Sequence, residues 1–155
     1  MGSATPEIEV NKARRRVVAA SGAALILLKS RAVSATPEEL SAALKHSFGE
    51  RRIQRGRVKI DIPQIVENGN VVPVTIEVES PMTADDFVKR LQLFSEHNPL
   101  PQIIDFELGP HNGKARISTR IRLAKSQIVV AVATLNDDTL WSAQAQIEVT
   151  ISGCG

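Results

Sequence analysis

The chain has 155 residues, of which 43% are hydrophobic and 23% charged, a size and composition typical of one globular domain. Its formal net charge is +2, but residues 1–35 hold six basic and two acidic residues, which leaves 13 basic against 15 acidic residues in positions 36–155. Nucleic-acid binding needs basic residues clustered on the folded domain, so this distribution argues against it. The absence of tyrosine and the 3% aromatic content likewise disfavour an aromatic-lined ligand pocket.

The first 35 residues have the pattern of an export signal. A basic run at 11–16 precedes an apolar stretch at 17–28 that is too short to span a bilayer. Arg14 and Arg15 stand directly ahead of this stretch, as in a twin-arginine signal, and small residues at 33–35 suit a signal peptidase. We predict that residues 1–35 are cleaved and that the protein reaches a bacterial periplasm, free of the membrane. A membrane anchor or an ordinary amphipathic helix is the alternative.

Residues 36–48 predict one short helix. Thr36 is a suitable N-cap, Pro37 favours the first helical position, and acidic residues follow in the first turn. An apolar stripe and a terminating Gly49 complete the pattern, the stripe being Leu40, Leu44 and Phe48. The arginines within 51–55 are interpreted as a solvent-facing surface, with contact to a partner as the alternative.

From residue 58 onward, alternating apolar and polar residues predict about seven strands. They cover 58–62, 72–78, 88–93, 104–108, 115–121, 127–133 and 141–151. Pro73 indicates an edge position or a bulge. The run 127–133 is continuously apolar, which is typical of a central strand covered on both faces. Asn112-Gly113 carries the usual signal of a hairpin turn.

Short strands separated by turn residues predict an all-β fold, an immunoglobulin-like antiparallel β-sandwich preceded by one short helix. The Cys…Trp…Cys core of antibody domains is absent, so the prediction concerns architecture only. The sandwich with its helix is assigned to residues 36–151, and residues 152–155 form a flexible carboxyl-terminal arm.

Histidines and paired carboxylates give no pattern of a complete active site. His46, His97 and His111 are scattered and lack the paired spacing of metal ligands, so we interpret them as surface residues and predict no metal site. Asp85-Asp86 and Asp137-Asp138 stand beside turn residues, where aspartate favours local hydrogen bonding over acid–base chemistry.

The one cysteine of the chain, Cys154, lies second from the end between Gly153 and Gly155. A single cysteine cannot form an internal disulfide, and a buried packing role is not expected for a residue beyond the last strand. Glycine lacks a Cβ, so this arm is slim and pliable. No base, cation or helix start nearby in sequence would activate the thiol, which indicates covalent attachment here and chemistry elsewhere. The alternative is an accidental cysteine on a frayed tail.

Five stretches within residues 58–155 stand out together, namely Glu67–Val74, Ser80–Thr83, Ile117–Ala124, Val130–Ala133 and Val149–Gly155. They resemble the SoxY family of the bacterial thiosulfate-oxidising (Sox) system. The most specific is the tail, because the family ends in Gly-Gly-Cys-Gly-Gly. Here Ser152 replaces the first glycine and the last glycine is missing, so only Gly153, Cys154 and Gly155 carry over.

The resemblance implies a covalent carrier of sulfur intermediates rather than an enzyme, with Cys154 as the attachment site and Gly153 and Gly155 providing arm flexibility. It implies four partners: a SoxZ-like subunit that completes a heterodimer, a SoxXA-type c cytochrome, a SoxB-type dimanganese hydrolase and a sulfur-oxidising dehydrogenase. Metals and haem would belong to these partners, and the chain itself would hold no cofactor besides the sulfur on its cysteine. Two other hypotheses stay open, an exported immunoglobulin-like binding module with a dispensable tail and an enzyme acting alone.

Overall fold

The computed structural model describes residues 37–151. Within them the chain forms one α-helix, nine strands and a short 3₁₀ turn at Pro110–Asn112. The helix and strands are α1 (Pro37–Phe48), β1 (Ile53–Arg55), β2 (Val58–Asp61), β3 (Ile65–Asn68), β4 (Val72–Val78), β5 (Val88–Ser95), β6 (Gln102–Glu107), β7 (Arg116–Ile121), β8 (Gln127–Leu135) and β9 (Leu140–Ile151). No helix in this part of the chain is long and apolar enough to cross a membrane.

The strands form two sheets, which confirms the predicted β-sandwich. The large sheet has the order β1-β9-β8-β5-β6, with β3 also paired to β9, and the small sheet has the order β2-β4-β7. The seven predicted strands are all present, and β1 and β3 are additional. Both run parallel to β9, so the sandwich is not wholly antiparallel.

The interior between the sheets follows directly from the alternating sequence pattern. Along β4, every second residue from Val72 to Val78 is buried, and Pro73 and Glu77 between them are exposed. The facing residues of the large sheet come mainly from its central strands, namely Leu91, Leu93, Val129, Ala131, Ala133 and Ile147. Each large aliphatic side chain buried in this way contributes about 1.5–3 kcal/mol of transfer free energy.

The helix covers the outer face of the large sheet. Phe48 packs edge-on against Phe94 with 5.8 Å between ring centroids, and Val132 and Leu140 complete this second apolar cluster. Strand β8 therefore has apolar neighbours on both faces, as its continuous apolar run predicts. The helix ends as expected at Gly49, whose φ of +64° suits glycine and whose N–H donates to the Lys45 carbonyl at 2.7 Å.

One local expectation is wrong, and the structure adds detail to two others. The hairpin prediction at Asn112-Gly113 is wrong, because β6 and β7 belong to different sheets; Gly113, at φ +69°, follows the 3₁₀ turn instead. The arginines at 51, 52 and 55 are exposed, as interpreted, whereas Ile53 between them packs into the helix cluster. Pro73 lies in the central strand of its sheet, but β2 reaches only as far as Thr75, so Pro73 has a neighbouring strand on one side only.

Candidate functional site

The residues predicted to carry function lie at the two ends of the chain. Cys154, Gly153 and Gly155, like the export residues Arg14 and Arg15, are outside the described residues, so their roles stay predictions. The described chain ends at Ile151, three residues before Cys154. The surroundings of Ile151 therefore determine where the cysteine is attached.

We call the end of β9 and the chain segments beside it the tail base, which comprises residues 65–69, 122–126 and 147–151. Strand β8 starts at Gln127, which pairs with Ile147, so the last four residues of β9 extend past β8. On its other edge β9 pairs in parallel with β3, where Asn68 lies opposite Ile151. The Glu148 N–H also donates to the Gln64 carbonyl at 2.8 Å. Strand β9 is thus held on the β3 side to its last residue.

On the side where β8 is missing, Ser126 takes its place. The Val149 N–H donates to Ser126 Oγ at 2.9 Å, and the Ser126 hydroxyl donates to the Val149 carbonyl at 3.4 Å. One side chain thereby satisfies both backbone groups of a residue that has no strand partner on this edge. The β7–β8 loop, which contains Ser126, is consequently tied to the end of β9.

Gly69, in the β3–β4 turn, allows this turn to approach the same loop closely. A Cβ at Gly69 would lie 2.2 Å from the Leu123 carbonyl oxygen and 3.3 Å from a methyl carbon of Val149. The approach is stabilised because the Leu123 N–H donates to the Gly69 carbonyl at 2.7 Å. The Asn70 N–H donates to Asn68 Oδ1 at 2.9 Å, an Asx turn that fixes the chain reversal.

Two buried amides hold the β7–β8 loop from below, and sequence reasoning did not identify them. Asn98 donates to the Arg122 carbonyl at 2.7 Å and accepts from the Ala124 N–H at 3.0 Å. Gln127 donates to Asn98 Oδ1 at 3.1 Å and accepts from the His97 N–H at 2.8 Å. Gln127 opens an otherwise apolar run, which is the only sequence signal that could have indicated such a role. Because both amides are satisfied, the loop is rigidly positioned.

The charges around the tail base are mixed and exposed. Arg122 and Lys125 project from the β7–β8 loop and have no ion pair within residues 37–151, while Glu67 and Glu148 are exposed on β3 and β9. No group of three or more His, Cys, Asp or Glu side chains suited to a metal ion occurs in the described part of the chain. The contacts of the tail base hold the end of β9 in place, and the residues after Ile151 continue from this strand end.

The other candidate residues are dispersed. His46 is exposed on α1, His111 is exposed in the 3₁₀ turn, and His97 is half-buried with its Nε2 atom 3.9 Å from Glu96. The structure does not bring the three histidines together. Asp137 confirms the predicted turn role, because it accepts from the Thr139 hydroxyl and N–H, and the hydroxyl bond in particular lowers the pKa of Asp137. Asp138 pairs with Lys89, whose ammonium lowers the pKa of that carboxyl.

Comparisons with known proteins agree with this architecture. Residues 44–154 match the family described as "Sulfur oxidation protein SoxY". A solved structure of the sulfur carrier protein SoxY from Chlorobium limicola f thiosulfatophilum is 30% identical, covers 74% of this chain and 98% of its own, and superposes with a TM-score of 0.62. A search of curated proteins gave no match.

Superoxide reductases share the fold at lower identity. A neelaredoxin variant from Ignicoccus hospitalis is 19% identical over 74% of this chain and 92% of its own, with a TM-score of 0.54. The enzyme from Nanoarchaeum equitans is 16% identical over 62% of this chain and 100% of its own, with a TM-score of 0.52. At such identities the likeness concerns the fold alone.

The fold and the family match together define a β-sandwich protein of sulfur oxidation. The chain belongs to the SoxY family, and the match runs through Cys154. The resemblance stated from sequence motifs is thereby confirmed.

Proposed function

We propose that the protein is a covalent carrier in the Sox system, holding sulfur intermediates on Cys154 and presenting them to partner enzymes. The observation that carries this proposal is the family match that extends to Cys154, the one cysteine of the chain. The similar protein from Chlorobium limicola is itself described as a sulfur carrier. The carrier acts as a substrate of its partners, not as an enzyme, and has no cofactor of its own.

Loading is an oxidation. The Cys154 thiol loses its proton, its sulfur forms a bond to the outer sulfur of thiosulfate, and two electrons leave to a SoxXA-type c cytochrome. The product is a cysteine S-thiosulfonate. A SoxB-type dimanganese hydrolase then adds water at the terminal sulfone sulfur, which releases sulfate and leaves a persulfide on Cys154. A sulfur-oxidising dehydrogenase then removes six electrons, which pass to its electron acceptor, while oxygen from water converts the outer sulfur to a sulfonate. A second hydrolysis releases this sulfonate as sulfate and returns the thiol; transfer of the outer sulfur to another acceptor is the alternative.

The tail base supports this role by its rigidity. A carrier arm must reach into successive active sites while its attachment point stays folded, and a short arm loses less conformational freedom on binding than a long one. The pairing of β9 with β3 and the Ser126 contacts to Val149 hold the attachment point. Gly153 and Gly155 would then let the thiol pass through narrow channels, since glycine adds no side-chain bulk.

We further propose a SoxZ-like subunit as the heterodimer partner and the periplasm as the location. The Arg14-Arg15 pair ahead of an apolar stretch supports export in a folded state. Replacing both arginines by lysine should leave the precursor in the cytoplasm, which cell fractionation with an antibody to the protein measures. Mature protein in the periplasm of that variant would contradict twin-arginine export without touching the carrier role.

The carrier role is tested by intact-protein mass spectrometry. The full chain is produced in thiosulfate-grown cells, and its mass is measured before and after treatment with a thiol reductant. We expect a sulfur-containing increment that the reductant removes, and no increment in Cys154→Ala. Cys154→Ala should also abolish thiosulfate-dependent electron transfer to the cytochrome while thermal unfolding stays unchanged.

Ser152→Gly is the matched control, because it alters the arm beside the cysteine, keeps the thiol and restores the glycine of the family ending. It should load at least as well as the wild type. Normal thiosulfate oxidation by Cys154→Ala would refute the carrier role.

A further inference from the structure

A groove of about 690 Å³ runs along the side of the sandwich between β6 and β7. Its floor contains Ile104 and Ile121, which belong to the interior core. The groove extends from Phe106 to the segment Asn98–Leu100 and to Arg122. Since Arg122 belongs to the β7–β8 loop, one end of the groove borders the tail base.

The groove exposes two large apolar side chains to solvent. Leu100 is 74% exposed and Phe106 is 42% exposed, and both line it. The other large exposed hydrophobic residues of the described chain, Ile65 and Val71, lie elsewhere, on β3 and in the β3–β4 turn. Exposed apolar side chains beside a concave floor are typical of a protein-binding surface.

Both strands that border the groove end their sheets. β6 is the last strand of the large sheet and pairs only with β5, and β7 is the last strand of the small sheet and pairs only with β4. Within residues 37–151 no strand pairs with the outer edge of either. Open edges of this kind accept an additional strand through backbone hydrogen bonds.

The charges at the groove favour an occupant with carboxylates. Arg120 and Arg122 line it, and neither has an ion pair within the described chain. Asp105 cannot satisfy them, because it already binds the Arg90 guanidinium through both carboxylate oxygens, at 2.7 and 2.6 Å. Two unpaired guanidinium groups beside the exposed Leu100 and Phe106 are complementary to a partner that presents apolar and acidic side chains together.

A second copy of this chain is a poorer match. In antiparallel registers of β6 with β6 that are centred on residues 105–107, acidic residues of one copy lie opposite acidic residues of the other, these being Asp105 and Glu107. Like charges directly opposite each other destabilise strand pairing. In those registers the charge pattern disfavours self-association and favours a different protein.

We propose that this groove is the docking surface for an edge strand of a β-rich partner protein, which adds to β6 and directs carboxylates toward Arg120 and Arg122. The identity of the partner rests on the proposed function, in which the SoxZ-like subunit is the β-rich partner. Docking here places that subunit beside the tail base, so that a single enzyme surface meets both the partner and the loaded cysteine.

The test measures the affinity of the mature chain for the purified SoxZ-like subunit of the same organism by isothermal titration. Phe106→Asp and Arg120→Glu should each weaken binding about 30-fold or more, the effect expected of a central interface residue. Val71→Asp and Arg55→Glu are matched controls, because they introduce the same charged residues at exposed positions outside both the groove and the tail base. Both should bind within about twofold of the wild type. Leu100 is the most exposed large hydrophobic residue of the described chain, so Leu100→Ser should leave folding intact. It should also weaken binding.

Hydrogen exchange of the complex should show new amide protection in 102–107, whereas 65–68 stays unchanged. Wild-type affinity in all groove variants, or no binding of the SoxZ-like subunit at all, would overturn the docking proposal. A homodimer of the wild type that Phe106→Asp dissociates would also overturn it, in favour of self-association. Sulfur loading of Cys154, measured on the same preparations, reports independently on the carrier role, so the two proposals can fail separately.

Discussion

Along one side of the sandwich, β9 has β1 beside its first residues and β3 beside its last, whereas on the opposite side β6 and β7 end their sheets without a further described strand. The first side, the closed side, holds the tail base. The second side, the open side, holds the groove. On the closed side β9 pairs with β1 at its start and with β3 at its end, whereas on the open side β6 and β7 have no described strand on their outer edges. The difference teaches that the strand leading to the tail is paired at both of its ends, whereas the strands at the groove are left as sheet edges.

The largest expected effect on stability comes from truncating a buried residue of the closed side, and truncation of an exposed residue of the open side is its comparison. Ile147, in β9, is fully buried, so Ile147→Ala should lower the free energy of unfolding by about 2–5 kcal/mol through lost contacts and a cavity. Leu100→Ala on the open side should change it by less than about 0.5 kcal/mol. Urea denaturation measures both. Equal losses would show that the open side is part of the stabilising core.

Gly69→Ala sharpens the same contrast at the backbone level. The added Cβ would meet the Leu123 carbonyl at 2.2 Å, so the turn and the β7–β8 loop must move apart, at a cost of about 1–3 kcal/mol. Gly109→Ala is the control, because a Cβ there meets no atom within 4 Å and its φ of −155° suits alanine. We expect the control to unfold at the wild-type urea concentration. A Gly69→Ala protein as stable as the control would mean that the close approach is unimportant.

Ser126→Ala tests the bonds that replace β8 at the end of β9. Loss of the hydroxyl should lower the free energy of unfolding by about 0.5–1.5 kcal/mol, the usual net value of a hydrogen bond. It should also speed hydrogen exchange at the Val149 amide, which donates to Ser126. Ser118→Ala removes a comparable exposed hydroxyl from β7, where it bonds Thr75, and should leave Val149 exchange unaltered. Unchanged exchange in Ser126→Ala would remove Ser126 from the tail base.

The smallest effect is expected from the ion pair that borders the open side. The Arg90 guanidinium lowers the pKa of Asp105 below its ordinary value of 3.8. The folded state therefore binds this proton less readily than the unfolded state, and the pair's contribution is present above that ordinary pKa and lost as the pH falls through the lowered one. For an exposed pair we expect about 0.2–1 kcal/mol. Asp105→Asn should show this deficit at pH 7 and converge with the wild type in acid, as urea denaturation at each pH measures. A deficit that persists in acid would show that the loss is not electrostatic.

Periodicity made much of this fold predictable. The alternation along β4 and the continuous apolar run of β8 each reflect how many faces of the strand are buried, and burial is a local property of the side chains. The short strands β1 and β3 were not predictable, because Ile53–Arg55 and Ile65–Asn68 are too brief for a period to show. They form because the edge of β9, which is far away in sequence, provides backbone groups with which they pair.

The candidate site divides in the same way. Cys154 stands out in the sequence because it is the one cysteine and lies between glycines near the chain end. The tail base does not stand out, since Gly69, Ser126 and Asn98 gain their roles from contacts with residues 23 to 80 positions away. Such contacts depend on the packing of the sheets and not on any local pattern.

The pairing of β9 has a mechanical consequence. A tension applied at the carboxyl terminus and directed along β9 does not peel the strand away one rung at a time. It acts in shear on the rungs to β3 and β8 together, which span Leu140 to Ile151. An enzyme that pulls the carboxyl terminus in this direction therefore loads all of these strand hydrogen bonds at once. The domain consequently resists unfolding by such a pull.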